Sequence, residues 1–188
     1  MKNSNKDANL KEKLKQALNS TFKVISDDFQ TNKKLEKKES LKDNDFFKLD
    51  SFNSLNDLIK ARAETDSSAL KKKFSNEEIF KKNSPLNSSC KSLYAIAEKI
   101  RCESLGGKML KGIQKNFSKN YDLMINSKRQ EQLKSKEDVN IAEAFELYML
   151  KKFHNIELNS LTMKMLSFWE NDFDQSIKKH INFLKDNF

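Results

Sequence analysis

The chain is poor in helix breakers, with three glycines and one proline in 188 residues. A fold of many short strands draws heavily on Gly and Pro for its turns, so this scarcity favours long helices. Arginine is scarce too. Arg62, Arg101 and Arg129 stand alone beside an excess of lysine, and the net charge of +9 rests on those lysines. They are scattered and often sit beside Asp or Glu. Reading bases and gripping phosphates bidentately both favour the arginine fork, so a solvated lysine surface outweighs a nucleic-acid site. Two cysteines, Cys90 and Cys102, provide neither a disulfide framework nor a CxxC pair. The only two histidines, His154 and His180, show no metal-ligand spacing, and ordinary helix-surface positions are expected for both. No apolar run approaches the roughly 20 residues that span a bilayer. Residues 1–10 also lack the apolar core of a signal peptide. A reduced, cytoplasmic chain with no membrane partner is expected.

What is present is helical periodicity. Hydrophobic residues make up 37% and charged residues 34%, enough apolar content for one core with solvated connectors around it. Leu10, Leu14, Ala17, Leu18 and Phe22 form one stripe over about 10–24. Ser54 with Asp57 reads as a capping-box variant, and Ser75 with Glu78 repeats the signal before a short helix closed by Ser84-Pro85. From about Ser88 the apolar spacing continues through Leu93, Ile96, Ile100, Leu110, Ile113, Phe117 and Tyr121. Gly106-Gly107 interrupts it, leaving two helices or one closely packed helix both open. Ser135 with Asp138 gives another start signal, before a helix around Phe145 and Tyr148. Further apolar stripes follow around Phe168 and Trp169, then around Phe173, Ile177 and Ile181. Residues 31–45 and 126–138 are charged connectors. The expected fold is mainly α, an irregular bundle of about six helices with two charged connectors. The expected division is 1–45, an N-terminal helix and connector, and 46–188, a helical domain.

Two polar groups stand out against this frame. Arg62, Glu64, Asp66 and Ser67 crowd just before Ala69 and Leu70. Glu98, Arg101 and Glu103 crowd into a turn and a half. Glu98 and Arg101 are three apart and share a face, so they can pair, while Glu103 points elsewhere and can meet another helix. Exposed helix ion pairs and a buried interhelical network both remain open. The spacing of Gly107 and Gly112 imitates a phosphate loop, but Ile113 and Gln114 stand where Lys and Ser/Thr are required, which excludes nucleotide binding there. The fourteen phenylalanines and Trp169 follow helical spacing and read as core rather than base-stacking platforms. No catalytic Cys/His pairing is visible.

The order of these motifs resembles the N-terminal region of the aerobic cobaltochelatase T subunit family (CobT). Arg62, Glu64, Asp66, Ser67, Ala69 and Leu70 match its Arg-Gly-Glu-x-Asp-Ser-x-Ala-Leu helix, with Ala63 in place of the glycine. Glu98, Arg101, Glu103 and Gly106 match its Glu-x-x-Arg-x-Glu-x-x-Gly helix. Gly112 and Asn116 match a later Gly and Asn, and the stretch around Trp169 matches an apolar helix with a central Trp. The resemblance implies a non-catalytic assembly and coupling role in ATP-dependent insertion of cobalt into hydrogenobyrinic acid a,c-diamide. The implied partners are a AAA+ ATPase S subunit and a large N subunit, with self-association also open. ATP, magnesium and cobalt would belong to the complex rather than to a site in this chain. The family's Asp-x-Ser-x-Ser metal-adhesion motif is absent at Asp66-Ser67-Ser68, because Leu70 holds the final serine position. The competing expectation is a small basic helical protein that binds nucleic acid or another anionic partner. A free-standing enzyme ranks below both.

Overall fold

The structure, a computed structural model, describes residues 2–28, 54–128 and 133–187. Among these the chain is mainly α, with eight helices and no strand. The helices are α1 (Lys2–Ser26), α2 (Leu55–Phe74), α3 (Glu77–Lys82), α4 (Ser88–Met109), α5 (Lys111–Ser127), α6 (Ile141–Phe153), α7 (Ser160–Ser167) and α8 (Glu170–Asn187). A 3-10 turn over Lys136–Asp138 precedes α6. The connector expected at 31–45 and the expected boundary at 45/46 lie outside the described residues. The chain forms two compact units, Met1–Phe74 and Ser75–Phe188.

In the first unit α1 packs along α2. Leu18 and Ile25 of α1 and Ala61, Ala63, Ala69 and Leu70 of α2 are buried. Alanines on α2 remove bulk and let the two helix axes approach closely. The C-terminal ends of the two helices are joined by ion pairs from Lys72 to Asp28 and from Lys73 to Asp27. As expected, α2 starts on a capping box. Ser54 Oγ accepts from the Asp57 amide at 3.2 Å and Asp57 Oδ2 accepts from the Ser54 amide at 3.0 Å.

The second unit is built around α6, which packs against α4, α7 and α8, while α5 packs on α4. Ala144, Phe145, Leu147, Tyr148, Met149 and Leu150 are buried, so the middle of α6 is covered on most of its circumference, with Glu143 and Lys151 exposed. Phe145 and Tyr148 meet Phe173 of α8 at ring-centroid distances of 5.4 and 5.3 Å. Trp169, partly buried, stacks on the same Phe173 at 6.2 Å, while Phe183 is 65% exposed, so the expectation of a core position fails for Phe183.

Asparagine does most of the capping. Asn87, Asn140 and Asn159 accept amide hydrogens at the starts of α4, α6 and α7. Two helix starts differ from expectation. The cap of α3 is Asn76, whose Oδ1 accepts from the Ile79 amide at 3.0 Å, and not Ser75. The Ser135–Asp138 capping box closes the 3-10 turn and not α6. The glycine pair does not break the helix. Gly106 and Gly107 lie buried inside α4, and the chain turns at Leu110, which caps both α4 and α5 in an extended conformation. A Cβ on Gly107 would sit 3.5 Å from Gln114 Cβ, an ordinary contact.

Candidate functional site

The polar helix α4 carries the groups with most chemical character. Arg101 lays its guanidinium across Glu98, with Nε 2.7 Å from Oε2 and Nη2 2.8 Å from Oε1. Three-residue spacing on a helix brings the side chains together, and the planar fork matches the carboxylate. Both are partly buried, with side chains 22% and 14% exposed. Burial works to raise the Glu98 carboxyl, but hydrogen bonds from Arg101 and Ser75 and the Arg101 charge prevail and hold it below the usual carboxylate range. The Arg101 guanidinium is raised by its hydrogen bond to Glu98. Cys102, fully buried beside this pair, has its thiol pushed up to about 12 by burial and the Glu98 charge. Such a thiol is inert as a nucleophile.

Glu103 faces the other way, as its spacing from Arg101 required. It is 1% exposed and accepts a hydrogen bond from the Tyr121 hydroxyl of α5 at 2.5 Å. Burial and the Glu103 charge raise the Tyr121 phenol far above its ordinary value, so it stays a donor. His154, the C-cap of α6, completes the cluster. Its Nε2 lies 3.7 Å from Glu103 Oε2, beyond hydrogen-bond distance, with the side chain 6% exposed. Its ring packs against Phe117 and Tyr121 at 6.0 and 5.7 Å. Burial and the Lys99 charge lower the imidazole to about 4, so it is neutral near pH 7. Lys99 itself pairs with Glu146 of α6 at 3.2 Å and lies 5.5 Å above the Tyr121 ring.

The expectation of a surface position therefore fails for His154 and holds for the exposed His180. The burial of His154 comes from residues of α4 and α5 that are distant in sequence, Glu103, Phe117 and Tyr121. His154 is the C-cap of α6, and the chain reverses just after it at Asn155, which takes φ 51°, the left-handed C′ conformation that Asn tolerates. Tyr121 was legible as an apolar core position, but nothing in the sequence pairs its hydroxyl with Glu103.

Arg62 and Glu64 of α2 are exposed, Asp66 is buried and Ser67 is partly buried, all in the first unit. Gly106 is buried in α4 and its carbonyl accepts from the Leu110 amide at 2.9 Å. Gly112 is exposed, and a Cβ there would meet nothing within 4 Å. Asn116, one turn on, is partly buried. The structure thus brings together Glu98 with Arg101, and Glu103 with Tyr121 and His154, which the sequence placed only as a core position and a surface histidine. Among the described residues no group of three or more His, Cys, Asp or Glu side chains is arranged to hold a metal ion. No described helix is long and apolar enough to cross a membrane.

No curated protein and no solved structure matches the chain. The sequence family described as Cobalamin biosynthesis protein CobT matches residues 8–188. That match takes in α2 with its Arg62–Leu70 motif and α4 with its Glu98–Gly106 motif, and it runs through every later helix. The chain therefore belongs to the CobT family of cobalamin biosynthesis proteins.

Proposed function

We propose that this chain is a non-catalytic assembly and coupling component of a cobaltochelatase, serving ATP-dependent insertion of cobalt into hydrogenobyrinic acid a,c-diamide. The single observation that carries the reading is the family match across residues 8–188. The chemistry of the second unit supports it. The two glutamates of α4, its Arg101 and its Lys99 are committed to each other or to neighbouring helices. Glu98 holds Arg101, Glu103 holds Tyr121, and the Cys102 thiol is pushed up out of nucleophilic range. Such groups stiffen a helix pair, which suits a part that transmits motion. In this reading a AAA+ ATPase S subunit holds ATP and magnesium, and a large N subunit binds the corrin and its substrate cobalt.

The test is size-exclusion chromatography of the chain mixed with the S subunit from the same source, with ATP, with ADP and without nucleotide. Co-elution is expected in at least one state, together with no ATP hydrolysis by the chain alone. Failure to co-elute in all three states refutes the assembly role.

A further inference from the structure

The corner between α4 and α5 carries features that the internal contacts leave unused. Met109 and Leu110 are adjacent and 56% and 48% exposed. Lys108, Lys111, Lys115 and Lys119 surround them in sequence and are all exposed. Lys111, Lys115 and Lys119 recur every fourth residue and so share one face of α5. Elsewhere in the second unit Lys81, Lys99, Lys128, Lys136, Lys151 and Lys152 each face a carboxylate, while Lys82, Lys91, Lys134, Lys164, Lys178 and Lys179 form no ion pair among the described residues but lie apart from this corner in sequence. The four lysines of the corner have no ion-pair partner among the described residues. The start of α5 adds to the positive field, because Leu110 offers no side-chain cap and the first amides of a helix carry partial positive charge.

Gly112 lies in the first turn of this helix. Its φ is not positive and a Cβ would meet nothing within 4 Å, so neither backbone conformation nor internal packing calls for glycine. What glycine does provide is open room for another chain to approach.

We infer that the α4–α5 corner docks an acidic segment of a partner protein that carries a large apolar side chain. The apolar side chain would bury against Met109 and Leu110, and its carboxylates would meet the lysines and the start of α5. An apolar anchor ringed by complementary charge is the usual anatomy of a protein interface. Nucleic acid fits less well. Between residues 108 and 119 the exposed positions include no arginine and no aromatic side chain on which a base could stack. The inference rests on the assembly reading for the identity of the partner, but not for the chemistry of the surface.

The probe is a fluorescein-labelled synthetic peptide of glutamates with two leucines four residues apart, read by fluorescence anisotropy. A peptide with glutamine in place of glutamate and an oligothymidylate serve as comparisons. The acidic peptide is expected to bind, to weaken with salt, and to shift amide resonances within residues 108–119. Gly112→Tyr extends into the space where a Cβ meets nothing within 4 Å, and Lys111→Glu with Lys115→Glu reverses the charge. Each is expected to weaken the peptide at least tenfold while the urea melt followed by Trp169 fluorescence keeps its midpoint. No binding by the unmodified chain, equal binding by both variants, or displacement of the peptide by oligothymidylate would overturn the inference. Applied to the S subunit, the same variants separate the two claims. Co-elution of the unmodified chain that both variants retain removes the corner from that interface and leaves the assembly reading standing. Peptide binding at the corner without S-subunit co-elution refutes the assembly reading and supports the surface.

Discussion

His154 should make the second unit lose stability as the solution is acidified. In the folded chain its imidazole is lowered to about 4 by burial and the Lys99 charge, against an ordinary value of 6.5. The unfolded chain therefore takes up a proton near pH 6.5 that the folded chain refuses until pH 4. Between those limits the unfolded state binds more protons, so stability rises with pH, at about 1.4 kcal/mol per pH unit for one group. Over the whole window the loss on acidification is about 3 kcal/mol. Below pH 4 both states are protonated and this contribution stops changing. The charges facing the imidazole are Lys99 and Glu103 of α4, and they oppose each other. Glu103 at 3.7 Å is too far to hydrogen-bond, while the burial is nearly complete. Urea melts from pH 7.5 to 4.5, followed by the fluorescence of Trp169, the only tryptophan, report on the unit that contains His154. Comparison with His154→Gln, which cannot titrate, isolates the effect. The variant's stability should fall less steeply, and the two curves should converge as the pH drops. A wild-type stability that holds or climbs relative to the variant between pH 7 and 5 would refute the reasoning, because it would mean that Glu103 keeps His154 as an imidazolium.

Three further outcomes are expected. Arg101→Ala should cost about 1–3 kcal/mol in a urea melt, more than an exposed helix pair, because Glu98 is left partly buried without its fork; Arg101→Lys should recover only part, and Arg129→Ala should be nearly silent. Tyr121→Phe removes the hydroxyl bonded to the buried Glu103 carboxylate and should cost about 2 kcal/mol, with a shift of the Trp169-monitored midpoint as the readout. Native protein treated with a thiol reagent such as Ellman's should react at one cysteine, the exposed Cys90, and at both after urea denaturation, since Cys102 is buried with its thiol pushed up to about 12.

What the sequence determined by itself was local and periodic. Scarce glycine and proline with apolar residues at helical spacing dictated an α fold, because each helix satisfies its own backbone bonds and needs only a stripe to bury. The Ser54–Asp57 cap and the Glu98–Arg101 pair were readable for the same reason, their partners being three residues apart on one chain segment. The motifs of α2 and α4 were also enough to suggest the family. Only the tertiary structure decided the rest. Whether Gly106-Gly107 would break the helix depended on how α5 packs back on α4, and the turn fell at Leu110 instead. Glu103 bonds Tyr121 across 18 residues of chain and lies 3.7 Å from His154, 51 residues away. The open face at Gly112 is likewise a tertiary fact, since a glycine in sequence does not say whether the space beside it is filled. Contacts between distant segments follow from how packed helices exclude water together, and no window of the sequence contains that information.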